Sequence, residues 1–253
     1  VRKEVREMPN LNKIPITVML GRGSRLRPII EAANKKSSQF YISLVVSHRK
    51  PQEGEADVPG IALARKNHIP AVYWNLIQMT NILGRGDDYR KEYEESLAAF
   101  INQSYYKPKF IFMTGWMLIL SENFLKHFSL NNYSRVINIH PAWLPDIDEN
   151  QKKITLPSGA KAPALRGPGD EVIRKTLELG LTHTGVTTYF LIPGAYDAGP
   201  VIKREWVKIA PGETPDSLRK KLNEIEDRQG PQVLELLAQG KLKIENGRVK
   251  IGK

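Results

Sequence analysis

The chain predicts a single α/β domain, a Rossmann-like, mainly parallel twisted sheet of about seven strands flanked by helices. Three observations predict it. Short apolar runs rich in β-branched residues alternate with amphipathic stretches along the chain, the pattern of strands joined by helical crossovers. The first run ends in a glycine-rich turn that opens a helical pattern. The 253 residues, 41% hydrophobic and 26% charged, suffice for one real core, and no internal repeat or convincing linker divides them.

Residues 1–12 are charged and polar and are expected to form an extension outside a domain spanning 13–253. Residues 16–20 (Ile-Thr-Val-Met-Leu) read as the first strand. Gly21-Arg22-Gly23-Ser24-Arg25-Leu26 comes next, then a helical pattern through Ile29, Ile30, Ala32 and Ala33, with Ser24 as its expected cap. A second buried strand covers 40–46, a polar loop 47–57, a short helix about 60–67 and a third strand 69–74. An amphipathic helix over 87–104 puts Tyr89, Tyr93, Leu97 and Phe100 on one side, a stripe better read as core packing than as a binding surface. Strand four is 109–114, and Ser121 caps the helix carrying Phe124, Leu125 and Phe128. The fifth strand lies in 135–145, where Val136, Ile137 and Ile139 are apolar and Pro141 and Pro145 end the ladder. Residues 146–167 are polar, rich in lysine, proline and glycine and without sustained periodicity, so they are expected to be a lid or a mobile insert. A short helix at 170–179, strands at 186–192 and 201–207, a helix over 214–240 broken near Gly230-Pro231, and a hairpin around Asn246-Gly247 complete the chain.

Composition narrows the function. Zero cysteines exclude disulfides, thiolate metal sites and a cysteine nucleophile. No apolar run reaches the length of a membrane span and Val1-Arg2-Lys3-Glu4 does not begin a secretory signal, so a cytoplasmic protein is expected. The net charge of +11 comes from dispersed basic residues without interleaved aromatic residues. That fits a lysine-rich surface, or a field that attracts small anionic substrates, better than a nucleic-acid site.

Two stretches carry chemistry. Asn138 and His140 lie two residues apart on one strand and so share a face, where an amide and an imidazole can act on a polarised carbonyl. Alone, an Asn-x-His-Pro stretch reads better as a capped strand with a surface histidine. The turn at 21–24 can cradle a phosphate on backbone N–H groups, with Arg22 and Arg25 adding charge-assisted bonds. It lacks the third glycine of a dinucleotide fingerprint and the Gly-Lys-Ser/Thr of a Walker loop. Both stretches fall at carboxyl ends of strands, where ligands of parallel sheets bind.

Asn138-Ile139-His140-Pro141 with Leu144-Pro145, Thr184-Gly185-Val186-Thr187 and Asp197-Ala198-Gly199-Pro200-Val201-Ile202 together resemble the 10-formyltetrahydrofolate-dependent formyltransferases, over residues 14–251. With the glycine turn, the 115–120 segment and the C-terminal helix, the chain is most similar to members acting on glycinamide ribonucleotide in purine biosynthesis. The resemblance implies that Asn138, His140 and Asp197 are catalytic. It implies that Gly21, Gly23, Ser24, Asn223 and Glu226 bind the phosphorylated ribonucleotide, to which Arg22 and Arg25 are expected to add charge-assisted bonds. Arg90, Met117, Leu118, Ile119, Leu120, Gly194, Ala195 and Tyr196 would bind the reduced folate, and the peptide before Pro145 would be cis. The chain departs from the family pattern at Tyr189, which replaces a usual histidine, at Arg25 (asparagine), at Leu118 (arginine) and at Glu171 (histidine), and its connection after Pro145 is longer.

The reaction implied is formyl transfer from 10-formyltetrahydrofolate, as co-substrate, to an amine. Asn138 and His140 would stabilise the oxyanion, and Asp197 would keep His140 charged and take the amine's proton. Such chemistry needs no metal and no covalent nucleophile. The partners expected are these small molecules, with no nucleic acid or membrane, in a monomer or homodimer. Two alternatives stand beside it: formylation of another amine such as a nucleotide-linked amino sugar, and a folate- or nucleotide-binding homologue without catalysis.

Overall fold

The computed structural model describes residues 13–83, 88–103, 105–130, 133–146 and 152–252. The expected extension 1–12, the ends of the 87–104 helix and residues 147–151 of the insert lie outside them.

Seven strands form one sheet: β1 (Ile14–Leu20), β2 (Phe40–Ser47), β3 (Ala71–Tyr73), β4 (Phe110–Thr114), β7 (Val136–His140), β10 (His183–Phe190) and β11 (Val201–Lys208). Three two-stranded ribbons accompany it: β5 (Ser129–Leu130) with β6 (Tyr133–Ser134), β8 (Lys153–Thr155) with β9 (Lys161–Pro163), and β12 (Leu242–Glu245) with β13 (Arg248–Ile251). The order across the sheet is β11-β10-β7-β4-β1-β2-β3. The five strands from β7 to β3 are parallel, while β10 runs antiparallel to both β7 and β11. The mainly parallel seven-stranded sheet is thus the one expected. Its centre is hydrophobic on both faces because helices cover both. Along β1, Ile16, Val18 and Leu20 enter one core cluster and Met19 the other.

Helices α1 (Leu26–Ala33), α2 (Pro59–Lys66) and α7 (Pro215–Ala238) belong to the first cluster, and α4 (Tyr89–Ile101) and α5 (Glu122–Leu125) to the second. α3 (Leu76–Leu83) was not anticipated, and α6 (Gly169–Glu178) comes after the insert. Tyr93 and Leu97 are fully buried, so their stripe is core, although Tyr89 faces solvent. Ser121 caps α5 as expected, accepting from Asn123 N at 3.2 Å.

Three expectations are corrected. The N-cap of α1 is Arg25 rather than Ser24, because Gly23, at φ +89°, prolongs the turn by one residue. α7 continues for 24 residues through Gly230-Pro231. Its apolar side, including Leu222, Ile225, Val233 and Leu234, is packed into the core on either side of the proline, which outweighs the lost helix bond. The peptide before Pro145 is trans, the commoner X-Pro isomer. In the described part of the insert, β8 and β9 form a hairpin, and its Ile154, Leu156 and Ala162 pack on Trp143 and Trp206. Those two indoles stack with centroids 3.6 Å apart.

Candidate active site

A cavity of about 310 Å³ opens beyond the carboxyl ends of β1, β4 and β7. Asn138 and His140 reach it from β7, on the face that carries Val136, whereas Ile137 and Ile139 point into the opposite core. β10 supplies the counter-wall, since antiparallel pairing sets Tyr189 opposite Asn138 and Thr187 opposite His140. Thr187 fixes the turn after the histidine. Its hydroxyl donates to Ala142 O (2.7 Å) and accepts from Leu144 N (3.0 Å). Gly185 leaves room for Trp143, because a Cβ there would lie 2.6 Å from Glu205 O and 3.1 Å from the indole. These contacts give the Thr-Gly-Val-Thr stretch a physical reason.

Asp197 arrives on the loop between β10 and β11 with φ +44°, a left-handed conformation that aspartate tolerates better than most residues. Gly199 permits the close approach of this loop: a Cβ would fall 1.9 Å from Phe190 O. The Asp197 carboxylate accepts from Tyr189 Oη (2.8 Å) and from Gly167 N (2.7 Å), and it stands 3.8 Å from His140 Nδ1. His140 is 4% exposed, and its Nε2 has no hydrogen-bond partner among the described residues. A buried, unpartnered ring nitrogen at a cavity wall is a group kept for a ligand or water.

At one end of the cavity are Ser24, Arg25, Asn223, Glu226 and Arg219. Arg25 Nε lies 3.2 Å from Glu226 and its Nη1 3.3 Å from Asp227. Burial pushes the Glu226 carboxyl up to about 7 against the pull of Arg25. Gly21 and Gly23 stand behind this end. A Cβ on Gly21 would meet Gly115 O at 2.6 Å, and one on Gly23 would meet the Gly60 Cα at 2.3 Å. Arg22 turns away to pair with Glu55, and Gly21, Arg22 and Gly23 do not line the cavity. His48 backs the turn; burial and Arg49 lower it to about 4, so it is uncharged.

The other end is apolar. Met117, Leu118, Ile119 and Leu120 form one lip, with Met117 and Ile119 exposed, and Ala195 and Tyr196 the facing one. Arg90 does not reach the cavity but donates to the Ile119 carbonyl and to Glu94, bracing that lip; Gly194 is also outside the lining. Sequence reasoning missed Arg219, Asp170 and the 167–169 turn as cavity walls, and treated Tyr189 only as a departure. Arg219 pairs with Asp170 across the rim. No spacing rule joins residues 49 positions apart, so that pair had no signal in the sequence.

The cavity lies beyond the strand ends of the α/β sheet, where ligands of parallel sheets bind, with the Asn-x-His strand facing the aspartate loop. The family described as formyl transferase matches residues 14–234, and the chain belongs to that family. It is 26% identical to the phosphoribosylglycinamide formyltransferase of Escherichia coli over 90% of this chain and 89% of that one. It is 28% identical to the trifunctional purine biosynthetic protein adenosine-3 of Gallus gallus over 94% of this chain, which spans only 20% of that longer protein. The glycinamide ribonucleotide transformylase 1 of Symbiobacterium toebii superposes with a TM-score of 0.74 at 25% identity, covering 96% of each chain.

Proposed function

We propose that the chain transfers a formyl group from 10-formyltetrahydrofolate to the amine of glycinamide ribonucleotide. The observation that carries this reading is the meeting of Asn138, His140 and Asp197 in one cavity, with His140 Nε2 unpartnered among the described residues. Two features fit the substrates. The exposed apolar lip at Met117 and Ile119 suits the ring system of a reduced folate. The opposite end offers Ser24 and the guanidinium groups of Arg25 and Arg219 to a phosphorylated ribose, with Glu226 as an acceptor for its hydroxyls.

In this mechanism the formyl oxygen faces His140 Nε2 and the free N–H of Asn138, so negative charge develops against donors already in place. Asp197, held by two hydrogen bonds, faces His140 and is the acceptor, directly or through a water, for the proton of the attacking amine. Absorbance during incubation of the protein with both substrates tests the reading. Turnover with a nucleotide-linked amino sugar but none with glycinamide ribonucleotide would refute the acceptor. His140→Ala is expected to lower kcat by about 10²–10³-fold, and wild-type activity in that variant would refute the mechanism.

A further inference from the structure

The position on β10 opposite Asn138 holds a tyrosine that the proposed reaction does not use. Tyr189 is 2% exposed, and its ring packs with Ala142, Leu144, Leu165 and Val172. Its hydroxyl lies between two groups of the proposed machinery, 2.9 Å from Asn138 Nδ2 and 2.8 Å from Asp197 Oδ1. A change of register opposite β11, between Thr188 and Tyr189, accompanies this placement, the kind of irregularity that re-aims a side chain at a site.

The hydrogen bonds fix their own direction. A carboxylate can only accept, so the single proton of Tyr189 is directed to Asp197. The phenol oxygen is then left as an acceptor, and the group facing it on Asn138 must be the NH₂ end of the amide. One N–H of that NH₂ is engaged, and the other has no partner among the described residues. Removing the hydroxyl takes away the bond that orients the Asn138 amide, and leaves Asp197 with the donor from Gly167 N.

We propose that Tyr189 is a positioning residue for formyl transfer: its hydroxyl, accepting from Asn138 and donating to Asp197, fixes the amide orientation and the carboxylate rotamer at once. The proposal rests on formyl transfer being the function. The ionisable groups around the hydroxyl are Asp197 and Tyr196 on the following loop, Glu171 of α6 beyond Tyr196, and His140 on β7. Burial and the adjacent Asp197 push the Tyr189 phenol well above its ordinary range, so this relay stays protonated throughout neutral pH.

The test compares Tyr189→Phe and Tyr189→His with wild type. Phenylalanine keeps the ring and removes the relay. A neutral imidazole restores one donor and one acceptor, and an imidazolium, with two donors, cannot accept from Asn138. With both substrates, Tyr189→Phe is expected to lower kcat about 10- to 100-fold while each KM stays within about two-fold, because the contacts altered are not contacts to bound substrate. Tyr189→His is expected to recover most of that loss at pH 8 and to lose it again as falling pH gives the imidazole its second proton, beyond any acid limb of the wild type. Wild-type kcat in Tyr189→Phe overturns the proposal, as does an equal loss in both variants at pH 8. If Tyr189→Phe does not fold, the pH profile of Tyr189→His decides alone, and a profile superposing on wild type overturns it.

A wild-type protein that turns over neither substrate refutes the function rather than the relay. The relay is then read by proton NMR as a slowly exchanging Tyr189 hydroxyl resonance, missing in Tyr189→Phe and displaced in Asp197→Asn. Its absence from the wild type overturns the proposal.

Discussion

Glu226 lines the cavity and also links stability to pH. Its carboxyl is buried beside Arg25 and titrates near 7 instead of near 4.5. The folded chain therefore binds this proton more tightly than the unfolded chain, and the associated stability is full below pH 4.5 and lost as pH rises through about 7. Glu226→Gln removes that term. The variant should gain stability relative to wild type as pH rises from 4.5 to 8, by roughly 1–3 kcal/mol, in urea unfolding. It should also raise the KM for the ribonucleotide. A stability difference that does not change over this range would show that the carboxyl does not titrate there. The difference between variant and wild type is the quantity to follow, because His48, lowered to about 4, contributes a slope of opposite sign in both proteins. At this scale the sequence indicated Asn138, His140 and Asp197 through three separated motifs. It held no sign that Arg25 pairs with Glu226 and Asp227, since partners 201 and 202 residues apart leave no periodic trace.

Among the elements, the pairing of β7 with β10 governs the site, and Thr187 is its clasp. Its buried hydroxyl bonds both Ala142 O and Leu144 N, closing the turn after His140. Thr187→Val preserves the shape but leaves two backbone groups without partners, so a loss of about 2–4 kcal/mol is expected in denaturant titration, with kcat reduced more than KM. Unchanged stability would mean that water replaces the hydroxyl. The glycine turn depends in the same way on α2, where a Cβ at Gly60 would lie 2.8 Å from Gly23 Cα. Gly60→Ala should therefore displace the turn and raise the ribonucleotide KM several-fold. Strands and helices with long apolar periods were legible in the sequence. The ribbons of two- and three-residue strands were not, because so short a strand carries too little alternation to read. The break expected at Gly230-Pro231 is absent because tertiary packing overrides local propensity there.

For the whole molecule, charge and the insert make separate predictions. A net charge of +11 should assist capture of anionic substrates, so raising ionic strength from about 0.05 to about 0.5 M should increase both KM values roughly 3- to 10-fold and leave kcat nearly constant. The described part of the hairpin packs on Trp143 and Trp206 and contributes nothing to the cavity lining, which argues against the lid reading for residues 152–163. Replacing those residues with a short turn should leave KM for both substrates unchanged and cost stability through the two uncovered indoles. The fold class was legible because alternation of strand and helix is a property of the whole chain. The cavity was legible only in parts, since its walls come from loops whose contacts are non-local. The Arg25–Glu226 pair has a further consequence during synthesis on the ribosome. The proposed ribonucleotide end of the site joins the turn after the first strand to the last long helix, so that end cannot form before α7 has been made. On the proposed function, a stalled chain lacking α7 should have no measurable affinity for the ribonucleotide.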